Sequence, residues 1–182
     1  MDDKYDVVAT WSVPTQERIY KIEFEHGTAS GKRVIRVDGK EILRKNWMFT
    51  LVGKEMFKIG KFKCAITVET LGTFLYHYKL EINGQTYEKF LEEAARKLKS
   101  WIAVLDGQET RICFDKETLD IWVNDQKMDT TSEFLDNGTK THFEIGRNIC
   151  YLKTTNSGNR KLGFIYQLYI NNAEIMPTDD PK

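Results

Sequence analysis

The tetrapeptide Phe57-Lys58-Ile59-Gly60 returns 86 residues later as Phe143-Glu144-Ile145-Gly146. At the same offset of 86, Cys64 returns as Cys150 and Ile35-Arg36-Val37 as Ile121-Trp122-Val123. Upstream, Trp11, Ile22 and Phe24 match Trp101, Ile112 and Phe114 at an offset of 90. Downstream, Tyr78-Lys79-Leu80-Glu81-Ile82-Asn83 matches Tyr166-Gln167-Leu168-Tyr169-Ile170-Asn171 at 88. Anchors in one order, with offsets that change only between them, mark a duplicated unit. The drop from 90 to 86 falls in the loop Gly27-Thr28-Ala29-Ser30-Gly31-Lys32-Arg33, and the rise to 88 between Thr155 and Gly163. Whatever architecture the 182 residues adopt, they must build it twice.

Within each copy the apolar period is two. Tyr20, Ile22 and Phe24 alternate with Lys21, Glu23 and Glu25; Cys64, Ile66 and Val68 alternate with Ala65, Thr67 and Glu69. Tyr76, Tyr78, Leu80 and Ile82 alternate with His77, Lys79 and Glu81. That is the pattern of strands with one face buried. Asp38-Gly39, Asn83-Gly84, Asn124-Asp125 and Asp136-Asn137-Gly138 supply turns between them. The expected fold is all-β: two tandem repeated antiparallel β-sandwich or barrel-like domains, six to eight strands each, joined by a short amphipathic helix. The domains are placed at 1–86 and 101–182.

The joining segment, 87–100, has helical periodicity instead. Thr86 is a candidate N-cap. Phe90, Leu91, Ala94, Ala95 and Leu98 form one apolar stripe. Glu92 with Arg96, and Glu93 with Lys97, are spaced for i,i+4 pairs.

The glycine loop 27–33 has the residues of a phosphate loop but not its spacing. Only three residues separate Gly27 from Gly31, Lys32 is followed by Arg33, and the next residues are β-branched and alternating. A phosphate loop needs four intervening residues, a Ser or Thr after the Lys, and a helix behind it. The second copy shortens this loop and keeps the flanking strands, so it reads as a hairpin connection and a contact loop specific to the first half.

Charge narrows the partner classes. The chain has 27 basic and 27 acidic side chains, which argues against a dedicated nucleic-acid or anionic-membrane binder. The first copy with its flank carries +3, the remainder −3. No apolar run approaches the ~20 residues of a membrane helix, and the acidic start Met1-Asp2-Asp3-Lys4-Tyr5-Asp6 is unlike a signal peptide. Three cysteines, an odd number, are expected to be reduced cytosolic thiols.

No catalytic, metal-binding or cofactor-binding residue stands out. His26, His77 and His142 lie outside any zinc-like cluster, and His26 with Ser30 has no marked third partner. Cys64 and Cys150 read as small buried hydrophobes, whereas Cys113 points away from the face of Ile112 and Phe114. Trp122 should likewise face outward, between inward Ile121 and Val123, where the first copy has Arg36. Outward Trp residues often anchor interfaces. The candidate interaction residues are therefore Trp122, its counterpart Arg36, and His26, Ser30, Lys32 and Arg33 around the glycine loop. A small-ligand-binding sandwich or an enzyme is the alternative, and a deep pocket with convergent polar groups would favour it.

Several stretches carry a resemblance: Lys21 through Val34, Val37-Asp38-Gly39-Lys40-Glu41, Trp47-Met48-Phe49, Leu51-Val52-Gly53-Lys54-Glu55, Leu80-Glu81-Ile82-Asn83-Gly84, Thr141 through Gly146, and Cys150-Tyr151. Together they resemble the Fas apoptotic inhibitory molecule family, in its short, widely expressed form, since no extra segment precedes Val7. The departures lie in 87–100 and after Met176. The resemblance implies a cytosolic, non-enzymatic protein that restrains apoptosis triggered by Fas and related death receptors. It further implies protein partners in survival signalling, among them an inhibitor-of-apoptosis protein, a link to neurite-promoting signalling, and protection against aggregation of misfolded proteins. The family has no established catalytic residues to carry over.

Overall fold

The structure, a computed structural model, describes residues 6–178; most of the acidic start, Met1 to Tyr5, lies outside them. The first sheet is a meander of β1 (Val7–Pro14), β2 (Ile19–His26), β3 (Arg33–Val37) and β4 (Lys40–Lys45). The second is β5 (Gly53–Ile59), β6 (Phe62–Thr70), β7 (Tyr76–Ile82) and β8 (Gln85–Thr86). After the helix α1 (Tyr87–Lys97) the plan repeats. The third sheet holds β9 (Leu98–Leu105), β10 (Gln108–Asp115), β11 (Ile121–Val123) and β12 (Gln126–Lys127). The fourth holds β13 (Thr131–Leu135), β14 (Gly138–Ile145), β15 (Asn148–Asn156), β16 (Phe164–Ile170) and β17 (Ala173–Ile175). Every pairing is antiparallel. Among the described residues the second copy thus has nine strands, one more than the upper expectation.

Backbone contacts divide the chain into two compact units. One takes the residues up to Thr15 and Ile19–Arg96; the other takes Gln16–Arg18 and the chain from Lys97. Each unit buries the inward faces of its own two sheets against each other. In the first, Val13, Tyr20, Ile22, Phe24 and Ile35 meet Ile59, Cys64, Ile66, Val68, Leu80 and Ile82. In the second, Trp101, Ile112, Phe114, Ile121 and Val123 meet Phe143, Cys150, Leu152, Leu168 and Ile170. These are the period-two residues, and the repeat anchors among them take equivalent places. Each fully buried Ile or Leu contributes roughly 1.5–3 kcal/mol of transfer free energy.

The turns follow their residue types. Asp38-Gly39 and Asn83-Gly84 have φ of 51° and 79°, and 49° and 77°, as two-residue hairpins of the primed type require. The glycine loop is a hairpin connection, with His26 paired to Arg33 at its base. Gly31 is needed there: its φ is +69°, and a Cβ would lie 2.8 Å from the Met48 carbonyl oxygen.

The helix packs on the first unit. Tyr87 and Phe90 lie against the first core, the Tyr87 hydroxyl donates to the Ser12 carbonyl at 2.7 Å, and the Thr86 hydroxyl caps the Lys89 N–H at 3.3 Å. The helix stops at Lys97 rather than Ser100, because Leu98, Lys99 and Ser100 pair with Asp115, Phe114 and Cys113. Ala95 is exposed. The expected Glu93–Lys97 spacing is put to other use: Glu93 accepts from Gln85, and Lys97 meets Glu117 at 2.8 Å. Among the described residues no helix is long and apolar enough to cross a membrane.

The copies differ in where the chain changes sheet. At the offset of 86, residues 45–49 correspond to 131–135. In the second unit 131–135 form β13 at the edge of β14. In the first unit β4 stays in its sheet to Lys45, and 46–52 form no strand.

All three cysteines are free thiols with no exposed surface. Burial pushes the Cys64 and Cys150 thiols up to about 11, far from the thiolate that reacts. A thiol titration of the native protein near neutral pH is expected to show none of the three reacting within minutes. All three should react in denaturant, and a fast native thiol would contradict the packing.

Candidate interaction site

Three connections converge at one end of the first sandwich: 27–32 between β2 and β3, 46–52 between β4 and β5, and 71–75 between β6 and β7. Strand register puts them there, since His26, Arg33 and Lys45 lie side by side and Gly53, Val68 and Tyr78 do the same in the facing sheet. The rings of His26 and Tyr76, from opposite sheets, are 4.9 Å apart.

A buried ionic strut holds this end together. Arg33 on β3 and Glu55 on β5 are 1% and 3% exposed, and Arg33 Nη1 donates to Glu55 Oε1 at 2.8 Å. Lys45 Nζ donates to both Glu55 oxygens, at 3.0 and 2.8 Å. The other arm of Arg33 donates to the Val52 carbonyl at 2.8 Å and the Thr50 carbonyl at 3.3 Å. One guanidinium therefore ties the two sheets together and pins the loop that enters β5. Its planar fork suits this work in a way a Lys ammonium would not. The Met48 N–H donates to the Ser30 carbonyl at 2.9 Å, which draws the same loop over the glycine hairpin.

His26 packs beside the strut. Its Nδ1 is 2.9 Å from the Tyr78 hydroxyl, and its ring meets Phe24, Tyr76 and Tyr78. Burial above all, and then the Arg33 charge, hold its pKa below the usual 6.5, with the Leu51 backbone acting the other way.

A second network lies on the outward side of the same strands. Arg36 reaches Glu25 at 2.5 Å and Glu41 at 3.9 Å. Lys32 approaches Glu25 at 3.6 Å, and Arg44 meets Glu41 at 2.7 Å.

The fold thus gathers His26, Ser30, Lys32, Arg33 and Arg36 in the first unit, while Trp122 belongs to the second. His26, Arg33 and Arg36 are buried, so they shape the loops rather than present themselves at the surface. Ser30 and His26 do not meet as nucleophile and base: the Ser30 hydroxyl accepts the Lys32 N–H at 3.2 Å and His26 serves Tyr78. Trp122 is half-buried on β11, between core residues Ile121 and Val123 and opposite Cys113 and Lys127. Among the described residues no group of three His, Cys, Asp or Glu side chains is placed to hold a metal ion.

Sequence reasoning missed Glu55, Lys45, Trp47 and Phe49. The first two were findable: period two turns Glu55 inward with Phe57 and Ile59, and an inward carboxylate demands inward cations. Trp47 and Phe49 stand in the pinned loop, edge to face at 4.3 Å, 58% and 93% exposed. The strut exists only in the first copy. The repeat counterparts of Arg33, Lys45 and Glu55 are Leu119, Thr131 and Thr141. The counterpart of His26 is Lys116, whose ammonium lies 5.6 Å from the centre of the Tyr166 ring.

Removing one partner of a buried pair strands the other, at a cost of about 3–5 kcal/mol, while an apolar replacement of both is far milder. Glu55→Ala should therefore lower the urea midpoint more than the double variant Arg33→Met/Glu55→Leu. The reverse order would show that the strut is not desolvated. His26 supplies a pH test. A histidine held neutral in the fold takes up a proton more readily when unfolded, so stability should fall as pH drops below about 6.5. His26→Gln is expected to flatten that slope in urea melts between neutral and mildly acidic pH, and an unchanged slope would count against the assignment.

The comparisons with known proteins agree on one family. A sequence model of the family described as Fas apoptotic inhibitory molecule matches residues 7–178. Fas apoptotic inhibitory molecule 1 of Bos taurus is 49% identical over 172 residues, covering 93% of this chain and 86% of that protein. The proteins of that name from Mus musculus and Homo sapiens are each 48% identical over 172 residues, covering 93% of this chain and 96% of theirs. With both sandwiches inside the match, the chain belongs to the Fas apoptotic inhibitory molecule family.

Proposed function

We propose that this protein restrains apoptosis triggered through Fas, as a non-enzymatic cytoplasmic regulator that works by binding other proteins, and that it limits protein aggregation under stress. The observation that carries the reading is the similarity over 93% of the chain to proteins named Fas apoptotic inhibitory molecule 1. Two features of the fold support binding over chemistry. Both sandwich interiors are filled by side chains, and the His and Ser nearest in sequence are each engaged elsewhere. Apolar side chains at loop tips, Phe49 at 93% exposed and Phe74 at 87%, offer unfolded clients a place to attach. Partners in death-receptor and survival signalling, an inhibitor-of-apoptosis protein among them, fit the same reading.

Two measurements separate its limbs. Cells expressing the protein should activate caspases less after Fas cross-linking than cells lacking it, and equal activation would reject the apoptotic limb. Light scattering of reduced, aggregating lysozyme, without nucleotide, should be suppressed near equimolar protein. No suppression by the full chain would reject the aggregation limb and leave the first standing.

A further inference from the structure

The two sheets that contain β5 and β14 are copies, yet one has an edge strand the other lacks. β13 pairs with β14 in the second unit, with Thr131 opposite His142 and Glu133 opposite Lys140. The counterpart of β13 in the first unit, residues 45–49, is held elsewhere. Lys45 stays paired to Arg33 in β4, Met48 is bonded to Ser30, and Arg33 grips the Thr50 and Val52 carbonyls. β5 is left as the terminal strand of its sheet.

Its open side can be assigned. Ile59 and Phe62 pair across the Gly60-Lys61 turn, so the backbone groups of Ile59, Phe57 and Glu55 point into the ladder with β6. Those of Lys54, Met56 and Lys58 point the other way. Lys54 and Met56 are the counterparts of Lys140 and His142, which β13 engages. Among the described residues, no backbone bond outside the β6 ladder reaches Lys54, Met56 or Lys58. All three side chains are exposed.

The charge of this edge selects its occupant. Residues 44–63 hold six cations and one carboxylate, the buried Glu55. Arg44, Lys45 and Lys54 meet Glu41, Glu55 and Glu81, so the positive sign of the edge comes from Lys58, Lys61 and Lys63. A second copy of β5 would bring the same lysines and be repelled, which is how edge lysines discourage self-pairing. An acidic strand would be attracted. The chain carries a template for one: 129–137, which includes β13, has Asp129, Glu133 and Asp136 and no Lys or Arg. It also has Phe134 and Leu135, apolar side chains of the same kind as the exposed Trp47 and Phe49 in the loop that enters β5.

We propose that the open edge of β5 is a strand-addition site for an extended, acidic segment of a partner protein bearing aromatic or aliphatic side chains. Main-chain hydrogen bonds to Lys54, Met56 and Lys58 supply the attachment and the surrounding lysines the selectivity. The site goes beyond the apoptotic reading and stands on sheet geometry and charge, so its failure leaves that reading untouched.

The probe is a fluorescein-labelled synthetic peptide of residues 129–137, titrated into the full chain and followed by anisotropy. Saturable binding that weakens with added salt is expected, with protection of the Met56 and Lys58 amides from hydrogen exchange. A version with Lys at 129, 133 and 136 should not bind. Met56→Pro removes an outward N–H, and edge strands tolerate proline at such positions. It should weaken binding about tenfold, the worth of one net hydrogen bond. Should Met56→Pro lose its β circular dichroism, the charge reversal Lys54→Glu/Lys58→Glu decides instead, and it too should weaken binding. No saturable binding, or binding untouched by the folded variants, would overturn the proposal. So would a dimer in sedimentation that forms through this edge and excludes the peptide.

Discussion

Each sheet of this protein has one apolar face, and a meander of four or five strands is stable in water only when that face is covered. Everything else follows from the two sheets of a unit covering each other. Ile22, Phe24 and Ile35 can be buried only because Ile66, Leu80 and Ile82 stand opposite. The duplication repeats the solution with Ile112, Phe114 and Ile121 against Leu152, Leu168 and Ile170. The helix adds to the first core through Tyr87 and Phe90.

A sandwich built this way has ends and edges, and these are where the copies diverge. At its loop end the first unit places the Arg33–Glu55 pair where the second has Leu119 and Thr141. Buried ion pairs are weak sources of stability but strong constraints on geometry, because neither member tolerates the loss of the other. Arg33 is hydrogen-bonded to a facing strand and to two loop carbonyls, so the route of 46–52 depends on it. Routing that segment over the glycine hairpin exposes Trp47 and Phe49 and leaves β5 uncovered. In the second unit the same stretch crosses to the other sheet and becomes β13.

The outward residues show why hydrophobicity alone is a poor guide to a surface. Cys113 and Trp122 point away from their core, as period two demands, yet Cys113 has no exposed surface and Trp122 is half-buried. Glu25 and Arg36 are outward and charged, and they too are buried, each neutralising the other. Phe49 and Phe74, by contrast, are apolar and open to solvent. Loop position decided that, since neither lies on a strand with an inward face.

The period-two alternation, the Asp-Gly and Asn-Gly turns and the duplicated anchors determined the strands, their hairpins and the twofold plan, because each rests on neighbours within a few residues. They also placed Cys64 and Cys150 in equivalent core positions and read the glycine loop as a hairpin. The end of the helix was decided by tertiary structure: its periodicity runs on past Lys97, but Leu98 to Ser100 have strand partners in β10. So was the strut, because Arg33 and Glu55 meet across two sheets and only the packing of those sheets brings them within 2.8 Å. The open edge of β5 was decided in the same way. Residues 45–49 and 131–135 occupy the same place in the repeat, and tertiary contacts, Met48 with Ser30 and the following Thr50 and Val52 with Arg33, hold the first of them away from β5.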